Sequence, residues 1–312
     1  MLTIHAVAIS KDLRLPPYAA SGTILSIHQD YLNIFLNTGV LTLVRKGKPL
    51  MPFGIEVDIS DNWSFLSIGH KQRVCVTDSQ VLVDDCLTVQ GIKTCAQHSC
   101  APGEGQMFDN TEIRRRLLHL QEICRLSPGS DGIQTYLGRY RLDKGRLLQQ
   151  NQEGVVEQRL KMRFEALVTG VLREDEFLIA EGVHGLLGVG PGLTPSGDDF
   201  LVGFLAGLMY SRRENCRVSI HAMARCLTQD AALFTTSLSA EYVKFAAKGL
   251  YHQYFTRLIN AFQADSWEAL ASSAQQLINL GHYSGTDLLL GFAYGGMTAL
   301  HAGEKGCFYE DF

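Results

Sequence analysis

Hydrophobic and polar positions change rhythm about a third of the way along the chain. From Met1 to about Val89, short β-branched or aromatic runs (Thr23–Ile27, Tyr31–Phe35, Leu41–Val44, Ile55–Val57 and Val74–Val76) partly alternate with polar residues. Gly, Pro, Asn and Asp bound them, as expected for short strands separated by turns. They predict an antiparallel β sandwich or small barrel, with a hairpin across Asn37-Thr38-Gly39. A Gly- and Pro-rich loop, Thr94 to Asn110, follows. Beyond it, apolar positions recur at helical spacing: Ile113, Leu117, Leu118, Leu120 and Ile123 in a helix capped by Asn110 or Thr111 and ending near Ser127, and Leu160, Met162, Phe164 and Leu167 on the buried side of one over Val155–Val171. Residues 130–152 show neither period. Further helices are predicted from Pro195 to Met209, from the hydroxyl-rich run at Leu233 to Gly249, over Trp267–Leu280, and from Ser284. The pattern defines an α+β protein: a β-rich domain over residues 1–105, then a larger, mainly α-helical domain over 106–312.

Two of those helices share more than a period. Ser196-Gly-Asp-Asp-Phe-Leu-Val-Gly203-Phe-Leu-Ala-Gly207-Leu-Met209 aligns without a gap on Ser284-Gly-Thr-Asp-Leu-Leu-Leu-Gly291-Phe-Ala-Tyr-Gly295-Gly-Met297. Both are apolar nearly all round, the mark of a buried helix. A glycine inside a helix costs about 1 kcal/mol relative to alanine, so glycines one turn apart predict close approach of another helix. The reading is a pair of pseudo-equivalent buried helices crossing through their glycines.

The first is preceded by Gly185, Gly188, Gly190, Pro191 and Gly192. A glycine-rich loop feeding a helix N-terminus frees N–H groups and aims the positive end of the helix dipole forward, which suits an anion. Gly188, Gly190, Gly192, Thr194, Ser196 and, at the second start, Ser284 are therefore candidate ligands, with Thr236 and Ser239 added from the hydroxyl-rich run. Asp199 and Asp287 are candidates for the same substrate site, although they lie in first helical turns, where capping accounts for them. Asp198 has no such role and is the candidate acid–base group, with His282 ahead of the second helix start. Three carboxylates would repel an anion unless a divalent ion bridged them, so a Mg²⁺ site is a possible addition. The run is neither a dinucleotide fingerprint, since Pro191 interrupts it and the spacing departs from G-x-G-x-x-G, nor a P-loop, since no Gly-Lys-Ser/Thr ends it.

Composition narrows the classes. Of 312 residues 46% are hydrophobic and 19% charged, which argues for a compact interior, and a net charge of −4 gives no polybasic signal for nucleic acid. Residues Met1–Ser10 lack the form of a signal peptide and no run is apolar enough for a membrane helix, so a cytoplasmic location with eight reduced cysteines is expected. Cys95-Ala-Gln-His98-Ser-Cys100 lacks the second ligand pair of a zinc finger and reads as a loop with incidental thiols. Lys46 and Lys48 read as a solvated loop rather than ligands to an anion.

The blocks GPGLTPSGDD (Gly190–Asp199), TTSLSAEYVKFAAKG (Thr235–Gly249) and GHYSGTDLLLGF (Gly281–Phe292) resemble a bacterial family that includes AllH, one of three subunits of oxamate carbamoyltransferase. They span most of the second half of the chain, whereas the first half is similar only in its short strands and Pro-Phe-Gly turn. The resemblance implies exchange of a carbamoyl group between carbamoyl phosphate and oxamate, giving oxalurate and phosphate, or the reverse towards carbamoyl phosphate during purine-ureide (allantoin) breakdown. It also implies other carbamoyltransferase subunits as partners and a small anionic substrate, and is compatible with an oligomer. Two other classes are compatible with the residues: a scaffold or regulatory subunit binding an anionic effector, and a free-standing small-amide hydrolase using Asp198 and His282.

Overall fold

The computed structural model describes residues 2–66, 68–127, 132–137, 141–143, 146–148 and 155–303. The chain divides into two compact units, one of Met1–Pro102 with Leu250–Thr256, the other of Gly103–Gly249 with Arg257–Phe312.

The first unit is built from β1 (Leu2–Ser10), β2 (Ala20–Ile27), β3 (Tyr31–Leu36), β4 (Gly39–Arg45), β5 (Gly54–Val57), β6 (Arg73–Val76), β7 (Val81–Val83), β8 (Leu87–Gln90) and β9 (Ala96–His98). Eight of them close a barrel in the order β5-β4-β3-β2-β6-β7-β8-β1, sealed by the β1–β5 pair, and β9 adds to β1. The expected hairpin is present, with Leu36 opposite Gly39 in an antiparallel β3–β4 pair. The sheet is mixed rather than antiparallel, because β4–β5, β1–β8 and β1–β9 run parallel. Alternation within a strand does not encode its direction; here residues 46–53 carry the chain back to start β5 alongside β4. The interior is filled by Ile24, Leu32, Ile34, Leu43, Ile55, Val57, Trp63, Val74, Val83 and Val89. Lys46 pairs with Asp58 and Lys48 with Asp30, each at 3.0 Å, so both lysines have protein partners. Residues 250–256 belong to this unit through Tyr251 N–H donating to the Cys100 carbonyl and Gln253 N–H to that of Leu50.

The second unit contains α1 (Asn110–Leu126), α2 (Gln134–Leu137), α3 (Val155–Arg173), α4 (Glu176–Leu186), α5 (Ser196–Ser211), α6 (Arg217–Gln229), α7 (Ala231–Phe234), α8 (Ser237–Ala246), residues 257–262 of α9 (Gln253–Phe262), α10 (Trp267–Ile278) and α11 (Ser284–Gly303). Asp109, rather than Asn110 or Thr111, caps α1 by accepting from Glu112 N–H. Leu118 of α1 and Met162 of α3, expected on the buried faces, are exposed instead. The ambiguous stretch 130–152 and Cys307 lie largely or wholly outside the described residues. No helix among the described residues is long and apolar enough to cross a membrane.

Helices α5 and α11 form the centre of this unit. Residues 196–208 of α5 and 285–302 of α11 are all buried. A Cβ on Gly203 would lie 2.9 Å from the Leu288 carbonyl carbon and from Phe292 N, and one on Gly291 would lie 2.9 Å from Phe204 N and 3.0 Å from the Phe200 carbonyl carbon. One turn on, Gly207 faces the Phe292 carbonyl and Gly296 N, and Gly295 faces the Phe204 carbonyl. The two backbones touch where side chains would hold them apart, which offsets the cost of the glycines. Phe164 of α3 packs edge-on against Phe200, with ring centroids 5.4 Å apart.

Candidate functional site

Both helix starts are reached through tight turns. Helix α4 ends at Leu186, and Gly188, Gly190 and Gly192 follow with φ of +73°, +109° and +98°, a region L side chains rarely enter. Gly190, Pro191 and Gly192 are exposed. The chain turns back so that Gly197 packs on the end of α4, where an added Cβ would sit 3.0 Å from the Leu186 carbonyl carbon. Helix α10 leads through Gly281, φ +64°, to Gly285, whose Cβ would sit 2.7 Å from the Leu277 carbonyl carbon.

Ser196 does not cap its helix. The N-cap of α5 is Pro195, which offers no side-chain hydrogen bond. The Ser196 hydroxyl instead lies close enough to Asp287, and the Ser284 hydroxyl to Asp199, to favour the ionised carboxylates, so the two helix starts exchange serine–aspartate contacts. The Thr194 and Ser284 hydroxyls lie 3.2 Å apart, and Thr194 also helps to favour the ionised Asp199. Asp287 additionally accepts from the amides of Gln134 and Ile133.

The three aspartates are at most 2% exposed. Burial pushes the Asp287 carboxyl up to about 7, against the pull of Ser196 and the two amides. Burial also holds Asp199 well above the usual carboxylate range, resisted by Ser284 and Thr194 and reinforced by the charges of Asp287 and Asp198. One oxygen of each of Asp199 and Asp287 has no hydrogen-bond partner among the described residues. Protonated, such a pair is an internal donor set; ionised, it is a buried charge without a cation.

Asp198 has a different environment. It accepts from Gly188 N–H at 2.7 Å, from Ser239 Oγ at 2.6 Å and from the Thr235 hydroxyl. Burial raises its carboxyl and these three donors oppose the rise. Asp198 thus ties the glycine loop and the start of α8 to α5. Thr236 caps α8, accepting from Ser239 N–H at 3.1 Å while its hydroxyl donates to the Leu193 carbonyl. Thr235 was not singled out by sequence reasoning, though it stands in the same hydroxyl run.

His282 is exposed, its ring 5.9 Å from that of Tyr283, and no hydrogen bond joins it to Asp198. The three aspartates do not bring ligand atoms within 4.8 Å of one another; the one His/Cys/Asp/Glu group among the described residues that does so is His184, Cys226 and Asp230. Cys95, His98 and Cys100 do not assemble either: the Cys95 thiol donates to the Ile92 carbonyl, His98 lies on β9, and burial pushes the Cys100 thiol up to about 11.

The arrangement defines a class: a closed mixed β-barrel joined to a helical unit whose two central helices exchange serine–aspartate contacts below a glycine loop. The sequence model of the family described as "Oxamate carbamoyltransferase subunit AllH" matches residues 186–296, and that of the "AllH family N-terminal domain" matches residues 5–97. The chain belongs to the AllH family. No solved structure matches it.

Proposed function

We propose that this chain is a subunit of an oxamate carbamoyltransferase and that its glycine loop receives one of the small anions of that reaction: carbamoyl phosphate, oxamate or oxalurate. The observation that carries the reading is that buried Asp198 anchors the loop from behind through Gly188 N–H while Gly190 to Gly192 stay exposed ahead of α5. In the transfer, the oxamate nitrogen attacks the carbamoyl carbon and loses a proton, the bond from that carbon to the phosphate oxygen breaks, and phosphate leaves. Loop amides and a helix N-terminus supply donors where negative charge gathers on the carbonyl oxygen and the phosphate. The Gly188 amide is already given to Asp198, so these donors come from the exposed part of the loop. Asp198 takes a positioning role rather than an acid–base one.

In this reading α4, its loop and α5 correspond to α10, its turn and α11. Gly197 and Gly285, Asp199 and Asp287, Gly203 and Gly291, and Gly207 and Gly295 make matching contacts across the pair. His282, exposed at the second start, is then the counterpart of the loop and the side chain free to meet an anion or another subunit. A second reading, a regulatory or scaffold subunit that takes no part in chemistry, is favoured by the burial of all three aspartates. The assembled enzyme separates the two. Oxamate-dependent phosphate release from carbamoyl phosphate is expected with partner subunits and not from the chain alone, and Gly192→Ala, which meets no atom within 4 Å but strains the loop at φ +98°, is expected to raise KM for one anion at least tenfold. Unchanged kinetics in that variant would favour the scaffold.

A further inference from the structure

One side-chain cluster stands apart from the helix starts. His184 in the last turn of α4, Cys226 in the last turn of α6, and Asp230, which ends α6 and begins α7, offer ligand atoms that all lie within 4.8 Å of one another. Asp230 N–H donates to the Cys226 carbonyl at 2.9 Å, the α-helical spacing that puts both side chains on one face. His184 Nε2 and Asp230 Oδ2 are 2.9 Å apart. From these contacts we infer that the three residues form a site for a zinc-class divalent ion.

Three further observations favour an ion over a simple ion pair. An aspartate at the first position before a helix ordinarily caps it, yet the Asp230 side chain makes no capping hydrogen bond to α7 and is directed at the imidazole instead. The imidazole plane is fixed, because His184 stacks on Phe234 with centroids 4.8 Å apart and planes at 16°. Cys226 is 7% exposed and places its sulfur beside the pair without a disulfide. A tetrahedral ion with zinc-like bonds separates its ligand atoms by about 3.3–3.7 Å. The observed 2.9 Å and the 4.8 Å bound bracket that separation, so small side-chain shifts suffice.

The donor set selects the ion. A thiolate, an imidazole and a carboxylate together suit Zn²⁺ or Co²⁺ and are poor for Mg²⁺ or Ca²⁺, which prefer oxygen alone. A thiolate and a carboxylate also neutralise the ion's charge. The side chains of His184 and Asp230 are 32% and 34% exposed, so a fourth position is open to water or to an anion. The site joins the end of α4 to α6 and α7, and α4 ends where the glycine loop begins: a Cβ on Gly188 would collide with the Phe234 carbonyl, the residue whose ring stacks on His184.

Titration of the metal-free full-length chain with Co²⁺, followed by electronic absorption, tests the site. One equivalent is expected to give a thiolate-to-cobalt charge-transfer band with intense tetrahedral ligand-field bands, and Zn²⁺ is expected to displace it. Cys226→Ser is expected to remove the charge-transfer band, and His184→Gln and Asp230→Asn to weaken Zn²⁺ at least about 100-fold by calorimetry, with circular dichroism showing each variant folded. No charge-transfer band in the wild-type chain would overturn the assignment. So would a band and an affinity that persist in folded Cys226→Ser and His184→Gln, because the metal would then sit on other thiols.

Discussion

Replacing Gly203 by alanine sets two effects of opposite sign against each other. Helix propensity alone predicts that alanine stabilises α5 by about 1 kcal/mol. In the structure the new Cβ would lie 2.9 Å from both the Leu288 carbonyl carbon and Phe292 N, and closer still to the Leu288 oxygen. These are backbone atoms of a helix buried along its length, so no side chain can rotate away and α5 and α11 must separate. Overpacking of that kind costs about 1–3 kcal/mol. Separation also strips contacts at Gly207, Gly291 and Gly295, which brings the net loss to about 2 kcal/mol after the propensity gain. For a unit of this size that lowers Tm by about 4–8 °C. Gly291→Ala should behave alike. The double variant should lose less than the sum of the two, by about 0.5 kcal/mol or more, since the first Cβ already opens the crossing for the second. Calorimetric melting of the full chain, taking the transition of the helical unit, measures this. A stabilised Gly203→Ala variant, or strictly additive losses, would refute the close crossing.

Three other outcomes follow from the same contacts. Asp287 is protonated in the folded chain up to a pH of about 7 but ionised in the unfolded chain above 3.8, so the folded state binds more protons in that window. Stability is therefore full below about pH 4 and is lost as pH rises through about 7, by at most about 4 kcal/mol. Denaturant midpoints at pH 5 and pH 8 should differ in the wild type and by less in Asp287→Asn, the remainder belonging to Asp199 and Asp198, whose carboxyls burial also raises, and an equal difference in both would contradict the assignment. Asp198→Ala leaves Gly188 N–H and the Thr235 and Ser239 hydroxyls unpaired and should destabilise by about 3–5 kcal/mol, whereas Asp198→Asn should fold and keep turnover of the assembled enzyme within tenfold. A loss of 100-fold or more in a folded Asn variant would instead make Asp198 an acid–base group. Gly188→Ala combines a φ of +73° with a collision against the Phe234 carbonyl and should cost more than Gly192→Ala, which carries strain alone, as chemical denaturation of the two would show.

What the sequence discloses here follows from the range of the interactions. The strands from Thr23 to Val76, the β3–β4 turn, the helix start at Pro195 and the glycines at helical spacing are written in neighbouring residues, and each is found where expected. The parallel pairing of β4 with β5 and of β1 with β8 is not, since strand direction depends on how the chain returns. Helix α4 escapes notice because Glu176 to Leu186 runs directly into the glycine loop. The aspartates show the same limit more sharply. Asp199 and Asp287 have the spacing of caps, but their serine partners lie on the opposite helix, 85 or more residues away in the chain. Asp198, which has no local role, is explained by three donors from two other segments. Cys226 and Asp230 are one turn apart, yet nothing local points to His184 as their neighbour.

The most direct measurement of the central claim is a structure of the assembled enzyme with oxalurate and phosphate bound. The account predicts an anion within hydrogen-bond distance of the backbone amides between Gly190 and Ser196, with Asp198 still accepting from Gly188 behind it. An anion bound away from both this loop and the Ser284 helix start would contradict it.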